Sequence, residues 1–204
     1  MMNERQERMQ KIIDRRQPDI TVILENVFDS HNISAVMRTC DAIGIGEIFV
    51  INTMLPPHDK WGFRSSAGTW KWVAVNQYSN LDQCMDAVRS RYHKIYATHL
   101  QPSAGNLFEM DFIQPMAIVF GNEQKGCTPE MLAAVDGSIY IPQHGMAVSL
   151  NISVACAVTL YEAYRQKREA GHYAASRLSN KERTQIFEAW TDCKEVRRLK
   201  GKPL

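Results

Sequence analysis

The stretch from Ile139 to Gln166, IYIPQHGMAVSLNISVACAVTLYEAYRQ, limits what this chain can fold into more than any other part of it. Ile139, Tyr140 and Ile141 read as a short buried strand, and Pro142 stops it because proline has no N–H to give a neighbouring strand. His144 to Val148 follow as a loop, in which Gly145 is free to take backbone angles that other residues avoid. Ser149, Leu150 and Asn151 then open a long helix, since Ser and Asn are good caps and Val154, Val158 and Tyr161 recur at helical spacing. Strand, tight loop and helix N-terminus form the unit at which α/β proteins hold ligands. The loop is mostly apolar, so it suits an uncharged or cationic ligand better than a phosphate.

The remainder alternates between the same two kinds of element. Residues 4–16 read as a helix with Met9, Ile12 and Ile13 inward and Arg5, Arg8, Lys11, Arg15 and Arg16 outward, ended by Gln17 and Pro18. Thr21 to Leu24 is a β-branched strand, and Asn26 to Asn32 a loop. A helix from Ile33 to Ile43 places Ile33, Val36, Met37 and Cys40 on one stripe. Arg38 lies about 150° from the middle of that stripe, outside the domain's own core, with Asp41 as a candidate surface partner. Gly44 and Gly46 close the helix; GIGEIF lacks a third glycine and follows a helix, which excludes a dinucleotide fingerprint.

Further strands are expected at Glu47 to Asn52, Trp72 to Val75, Ile95 to Thr98 and Met116 to Phe120, with a loop at Pro56 to Lys60, a helical turn at Arg64 to Gly68 and a helix at Leu81 to Arg89. MAIVF is the most apolar strand and therefore central and parallel. GNEQKG follows it directly, and Thr128, Pro129 and Glu130 then make a strong helix start. Ser179 and Glu182 form a capping box for a last helix that carries Ile186, Phe187, Trp190 and Val196 and ends in KEVRRLKGKP. The pattern predicts an α/β fold, mainly a parallel sheet with helices on both faces.

Charge divides the chain into three. Residues 1–18 carry five basic and three acidic side chains, residues 19–164 eight and fourteen, and residues 165–204 eleven and five. An acidic body between basic ends points to a polyanion at the ends, or else to solvated helix faces. The corresponding units are a basic N-terminal helix (1–18), a central domain (19–171) and a basic helical extension (172–204). No apolar run reaches a membrane span and the N-terminus is polar, so the chain is expected in the cytoplasm. Five cysteines and six histidines show no zinc-ligand spacing; buried reduced thiols and no metal are expected.

None of the loops at the strand ends offers a Ser/His/Asp order, a P-loop or a carboxylate pair. HNISAVMRTCDAIG, IVFGNEQKG and IYIPQHGMAVSLNISVACAVTLYE, however, resemble the three motifs of the SPOUT class of methyltransferases, in the order and separation of its TrmH branch. The similarity runs from about Arg15 to Arg168. It implies a C-terminal deep trefoil knot, a homodimer, and S-adenosylmethionine held in the knot. The implied reaction is methylation of a ribose 2′-OH in tRNA, most closely that of the D-loop guanosine at position 18. By the same match Asn32 and Arg38 belong to the first motif, with Arg38 the arginine on which transfer depends, Glu123 to the second, and Ser149 and Asn151 to the third. Thr98, Gly121, Ile141 and Leu150 match cofactor-holding positions, and Met146 joins Ile141 and Leu150 as an apolar slot for adenine. RNA contact falls to Arg8, Arg15 and Arg16 on one side and Arg165, Lys167 and Arg168 on the other. Other readings stay open: helix caps only for Ser149 and Asn151, a loop carboxylate for Glu123, another RNA such as a wobble nucleotide or ribosomal RNA, or a non-catalytic knotted RNA-binding protein.

Overall fold

In the computed structural model, residues 3–56, 68–101 and 103–191 are described. MAIVF forms β6 (Met116–Phe120), all five residues buried, hydrogen-bonded in parallel to β1 (Ile20–Glu25) on one side and β4 (Lys94–Thr98) on the other. It is the middle strand of seven, in the order β3-β2-β1-β6-β4-β7-β5, with β2 at Glu47–Ile51, β3 at Ala74–Tyr78, β5 at Gly105–Asn106 and β7 at Gly137–Tyr140. Every pairing among the described strands is parallel.

Alternate residues of β6 serve opposite faces, as the strand period requires. Met116, Ile118 and Phe120 join a core with α2 (Ser30–Ile43) and α5 (Ile152–Glu169), while Ala117 and Val119 join another with α3 (Leu81–Arg89) and α4 (Pro129–Ala134). The predicted stripe Ile33, Val36, Met37 and Cys40 is fully buried. Each aliphatic side chain sealed this way contributes about 1.5–3 kcal/mol. The described cysteines, Cys40, Cys84, Cys127 and Cys156, are buried and free. No helix among the described residues is long and apolar enough to cross a membrane.

Several boundaries differ from the sequence expectation, each for a local reason. Helix α2 starts at Ser30, because Asp29 caps it by accepting from His31 N at 2.8 Å; Asn32 therefore stands in the first turn and not in a loop. Thr69–Lys71 form a 3₁₀ turn, which delays β3 to Ala74. Strand β7 ends at Tyr140, one residue short of Ile141. Helix α5 begins at Ile152 with Asn151 alone as its cap, so Ser149 and Leu150 precede it. Its buried side is Ile152, Cys156, Thr159, Leu160 and Ala163; Val154 and Tyr161 are 47% and 53% exposed. The turn proposed at Arg64 to Gly68 lies outside the described residues apart from Gly68, as do the loop beyond Pro56, Val196 and the basic run at the end.

The two ends of the chain meet. Helix α1 (Glu4–Ile13) packs Met9 and Ile13 against Trp190, Ile186 and Phe187 of α6 (Asn180–Thr191), whose capping box at Ser179 and Glu182 is present. Ile12 faces outward instead of inward. Two residues assigned to RNA contact are also corrected. Arg16 is only 3% exposed, because α1 stops at Ile13 and the chain turns its guanidinium inward, to the Ile45 and Trp72 carbonyls and over the Trp190 ring at 5.0 Å. Asp41, the expected surface partner of Arg38, lies 3.5 Å from Arg16. Lys167, 1% exposed, pairs with Asp19 at 3.0 Å where the last turn of α5 crosses the start of β1. Neither side chain is on the surface. Arg8, Arg15, Arg165 and Arg168 are exposed, although Arg165 already pairs with Glu162 and Glu169, both at 2.8 Å.

Candidate active site

At the carboxyl ends of β4, β6 and β7 lies a cavity of about 400 Å³. Thr98 and Leu100 line it from the first strand end, Phe120 to Gly126 from the second, and Tyr140, Ile141 and Gln143 with Val148 to Leu150 from the third. This is the edge where parallel α/β sheets bind ligands.

The GNEQKG loop owes its shape to contacts that tolerate few other residues. A Cβ on Gly121 would sit 2.3 Å from Cys127 N and from the carbonyl carbon of Gly126, so only glycine lets the two strands of the loop close. Asn122 and Gly126 exchange backbone hydrogen bonds of 3.0 and 2.9 Å. The Asn122 side-chain oxygen accepts from Gln124 N and Lys125 N, while its amide donates to Asn26 O at 2.7 Å. Asn26 is itself left-handed (φ 51°), and its side-chain oxygen accepts from Thr53 N and Met54 N, both at 2.9 Å. At the far end of the loop the buried Glu25 accepts from the Thr128 hydroxyl and from Thr128 N at 3.1 Å. Burial pushes the Glu25 carboxyl upward against those two bonds. Burial, with the Glu25 charge beside it, also pushes the Cys127 thiol up to about 12, so that sulfur is a protonated packing group and no nucleophile.

Glu123 is tied directly to the segment from Phe28 to Asn32 and, through Asn32, to Asn151. Asn32 Nδ2 donates to Glu123 Oε1 at 3.0 Å, Phe28 N to Glu123 Oε2 at 3.3 Å, and Asn151 Nδ2 to Asn32 Oδ1 at 3.2 Å. The amide orientations follow from chemistry. A carboxylate only accepts, so Asn32 must turn its N–H₂ to Glu123 and its oxygen to Asn151, whose own oxygen then caps α5 by accepting from Ser153 N at 2.9 Å. Asn151 is thus a cap and a link in the network at once.

Of the other sequence candidates, Ser149, Leu150, Ile141, Gly121 and Thr98 line the cavity. Thr98 turns its hydroxyl to Val119 O at 3.0 Å, leaving its backbone and methyl to the cavity. Arg38 is exposed on the outer face of α2, as its angle from the apolar stripe requires, and lines neither this cavity nor its neighbour. Met146 is a correction: it is 99% exposed and outside the lining, because it stands at the middle of the loop between Gln143 and Val148, the residues through which that loop lines the cavity. Glu25, Asn26 and Asn122 were not singled out by sequence reasoning. The only signal for them is position, at a strand end or inside a glycine-bounded turn. Among the described residues no group of three or more His, Cys, Asp or Glu is placed to hold a metal.

The cavity is of small-molecule size; Ile141, Leu150 and Ile152 give it apolar walls that would suit an adenosine, and Glu123 in the lining supplies a negative charge that would suit a sulfonium cation. Residues 19–161 match the SpoU rRNA methylase family. A tRNA (guanosine(18)-2′-O)-methyltransferase of Thermus thermophilus is 40% identical over 188 residues, covering 91% of this chain and 95% of that protein. One from Escherichia coli K12 is 39% identical over 173 residues, 81% of this chain and 72% of its own length. The crystal structure of the A. aeolicus TrmH/SpoU tRNA modifying enzyme matches with a TM-score of 0.87 at 36% identity, covering 95% and 97% of the two chains. AviRb of Streptomyces viridochromogenes, solved in complex with AdoMet, matches at TM-score 0.68 and 27% identity over 76% of this chain and 60% of its own. The parallel sheet, the glycine-bounded loop and the extent of these matches place the chain in the SpoU methylase family.

Proposed function

We propose that this protein transfers a methyl group from S-adenosylmethionine to the ribose 2′-OH of guanosine 18 in tRNA, acting as a cytoplasmic homodimer with a C-terminal deep trefoil knot. The observation that carries this reading is the linkage of Asn32, Glu123 and Asn151 at the rim of a small-molecule cavity. The identity to tRNA (guanosine(18)-2′-O)-methyltransferases supplies the substrate. The strand order supports the knot: after β4 the chain forms β5 at the edge of the sheet, crosses to β6 on the other side of β4, and returns to β7 between β4 and β5. The outward Val154 and Tyr161 on α5 support an interface with a second copy. The basic segments 1–18 and 172–204 flank the domain 19–171, and α1, packed on α6, offers Arg8 while Arg15 follows it on the surface, both available to RNA.

Thr98, Gly121, Ile141 and Leu150 hold the cofactor, which when bound supplies an electrophilic sulfonium methyl with a neutral thioether as leaving group. Alignment of the acceptor oxygen is then the main task, and Asn32, Glu123, Ser149 and Asn151 orient it. Arg38 brings a forked cationic guanidinium that clamps the neighbouring phosphate and stabilises the 2′-oxyanion as it develops, while the hydroxyl proton passes to an oxygen of that phosphate. The test is to incubate the pure protein with methyl-labelled cofactor and unmodified tRNA and to map the labelled nucleotide. Label on guanosine 18 is the expected result; label on the wobble nucleotide, or on ribosomal RNA alone, would replace the assignment.

A further inference from the structure

Beside the cofactor cavity lies another of about 320 Å³, lined by Phe28, Asp29, Asn32, Asn122, Glu123 and Gln124. Asn122, Glu123 and Gln124 line both, so the two spaces share a wall. A methyl acceptor has to approach the donor from an adjoining space, and this one adjoins it.

Phe28 is 75% exposed, yet its backbone is anchored on every side. Its own N–H donates to Glu123 Oε2, Val27 before it is fully buried, and Asp29 after it caps α2. The fold thus holds a large flat ring in solvent at a fixed place beside Glu123. The remaining walls are amides and carboxylates, the donors and acceptors that the edge of a nucleobase needs, and no second aromatic ring among the lining residues covers the first. An unstacked RNA base is read by this combination of an aromatic face and polar edges.

We infer that Phe28 is the platform on which the base of the methylated nucleotide stacks, which places the attached ribose against Asn32 and Glu123. The inference rests on the methyltransferase reading above and adds the acceptor's binding site to it. Stacking of one base on an aromatic side chain is lost on truncation to alanine, with an effect of about ten- to a hundredfold.

Initial rates on unmodified tRNA for the wild type, Phe28→Ala, Phe28→Leu and Phe28→Tyr test it, with calorimetric cofactor titration and sedimentation velocity on each variant. Phe28→Ala should lower kcat/KM for tRNA by about ten- to a hundredfold, Phe28→Tyr should recover most of the loss and Phe28→Leu little of it. Cofactor affinity and sedimentation should match the wild type in all three. Full activity in Phe28→Ala, or recovery by leucine equal to that by tyrosine, overturns the platform. So does a changed sedimentation coefficient or cofactor affinity, since Phe28 would then serve a contact between copies or the fold itself. A wild-type protein that leaves tRNA unlabelled refutes the methyltransferase reading, whereas indifferent variants beside an active wild type refute the platform alone.

Discussion

The side-chain amide of Asn32 donates to Glu123 Oε1 at 3.0 Å, across 91 residues of chain. The pair joins the first turn of α2 to the loop after β6, and Asn32 Oδ1 extends the link by accepting from Asn151 Nδ2 at 3.2 Å. Asn32→Asp would set one carboxylate against another at this distance, while Asn32→Ala would only remove the donor. Transfer activity is therefore expected to fall in both, by about tenfold for alanine, in line with one lost hydrogen bond to a charged group, and further for aspartate. Initial rates for the two variants side by side decide it; an aspartate variant more active than the alanine one contradicts the network.

Gly121 faces Cys127 N and the Gly126 carbonyl carbon at distances that no Cβ can occupy. Gly121→Ala must open the loop, at a cost of about 1–3 kcal/mol for overpacking. The loop is local, so far-ultraviolet circular dichroism should stay native while calorimetric binding of S-adenosylmethionine weakens by tenfold or more, roughly what that cost predicts. Unaltered cofactor affinity would show that the closure of this loop is irrelevant to the cavity.

Much of this arrangement was legible in the chain, and the failures have physical causes. MAIVF declared itself central because a strand covered on both faces has no polar face to show, and Thr128-Pro129 and Ser179/Glu182 declared helix starts because capping is local chemistry. Arg16 and Lys167 were misread because charge suggests a surface position, whereas their partners Trp72, Trp190 and Asp19 are brought in from far along the chain. Met146 was misread because an apolar residue in an irregular loop has no periodicity to say which way it points. Asn26 and Glu25 went unnoticed for a related reason: a residue at a strand end gains its meaning from the loop it anchors, and that loop lies about a hundred residues later.

Arg38 stands on the exposed face of α2. Lysine keeps the charge but not the planar fork that grips a phosphate through two parallel bonds. For Arg38→Lys, kcat on tRNA should drop by about a hundredfold, the size seen when one oriented oxyanion donor is lost. Melting temperature and cofactor affinity should be unchanged. A lysine variant with near wild-type turnover would mean that charge alone is sufficient there.

Asp19 is a shared counter-ion: Lys167 lies at 3.0 Å, Arg177 at 3.1 Å and His172 at 3.5 Å, all where the end of α5 meets the start of β1. Three basic groups around one carboxylate leave no room for a third full charge. Burial, then the Arg177 and Lys167 cations, hold the His172 imidazole below its ordinary pKa, and Asp19 opposes them only in part. The folded chain therefore binds this proton more weakly than the unfolded chain. Between the ordinary imidazole value of about 6.5 and the depressed one, the unfolded state takes up the proton first. His172 thus leaves stability whole above that ordinary value and subtracts from it on acidification. Glu25, whose carboxyl is raised, works in the opposite direction, so the slope has to be read as a difference between variants. His172→Gln should flatten the fall in melting temperature between about pH 7.5 and 5.5 relative to wild type. Asp19→Asn should lower it at every pH in that range, because it strands the buried Lys167 charge at a cost of about 3–5 kcal/mol. Parallel melting curves for wild type and His172→Gln across the range would show that this imidazole is no part of the balance.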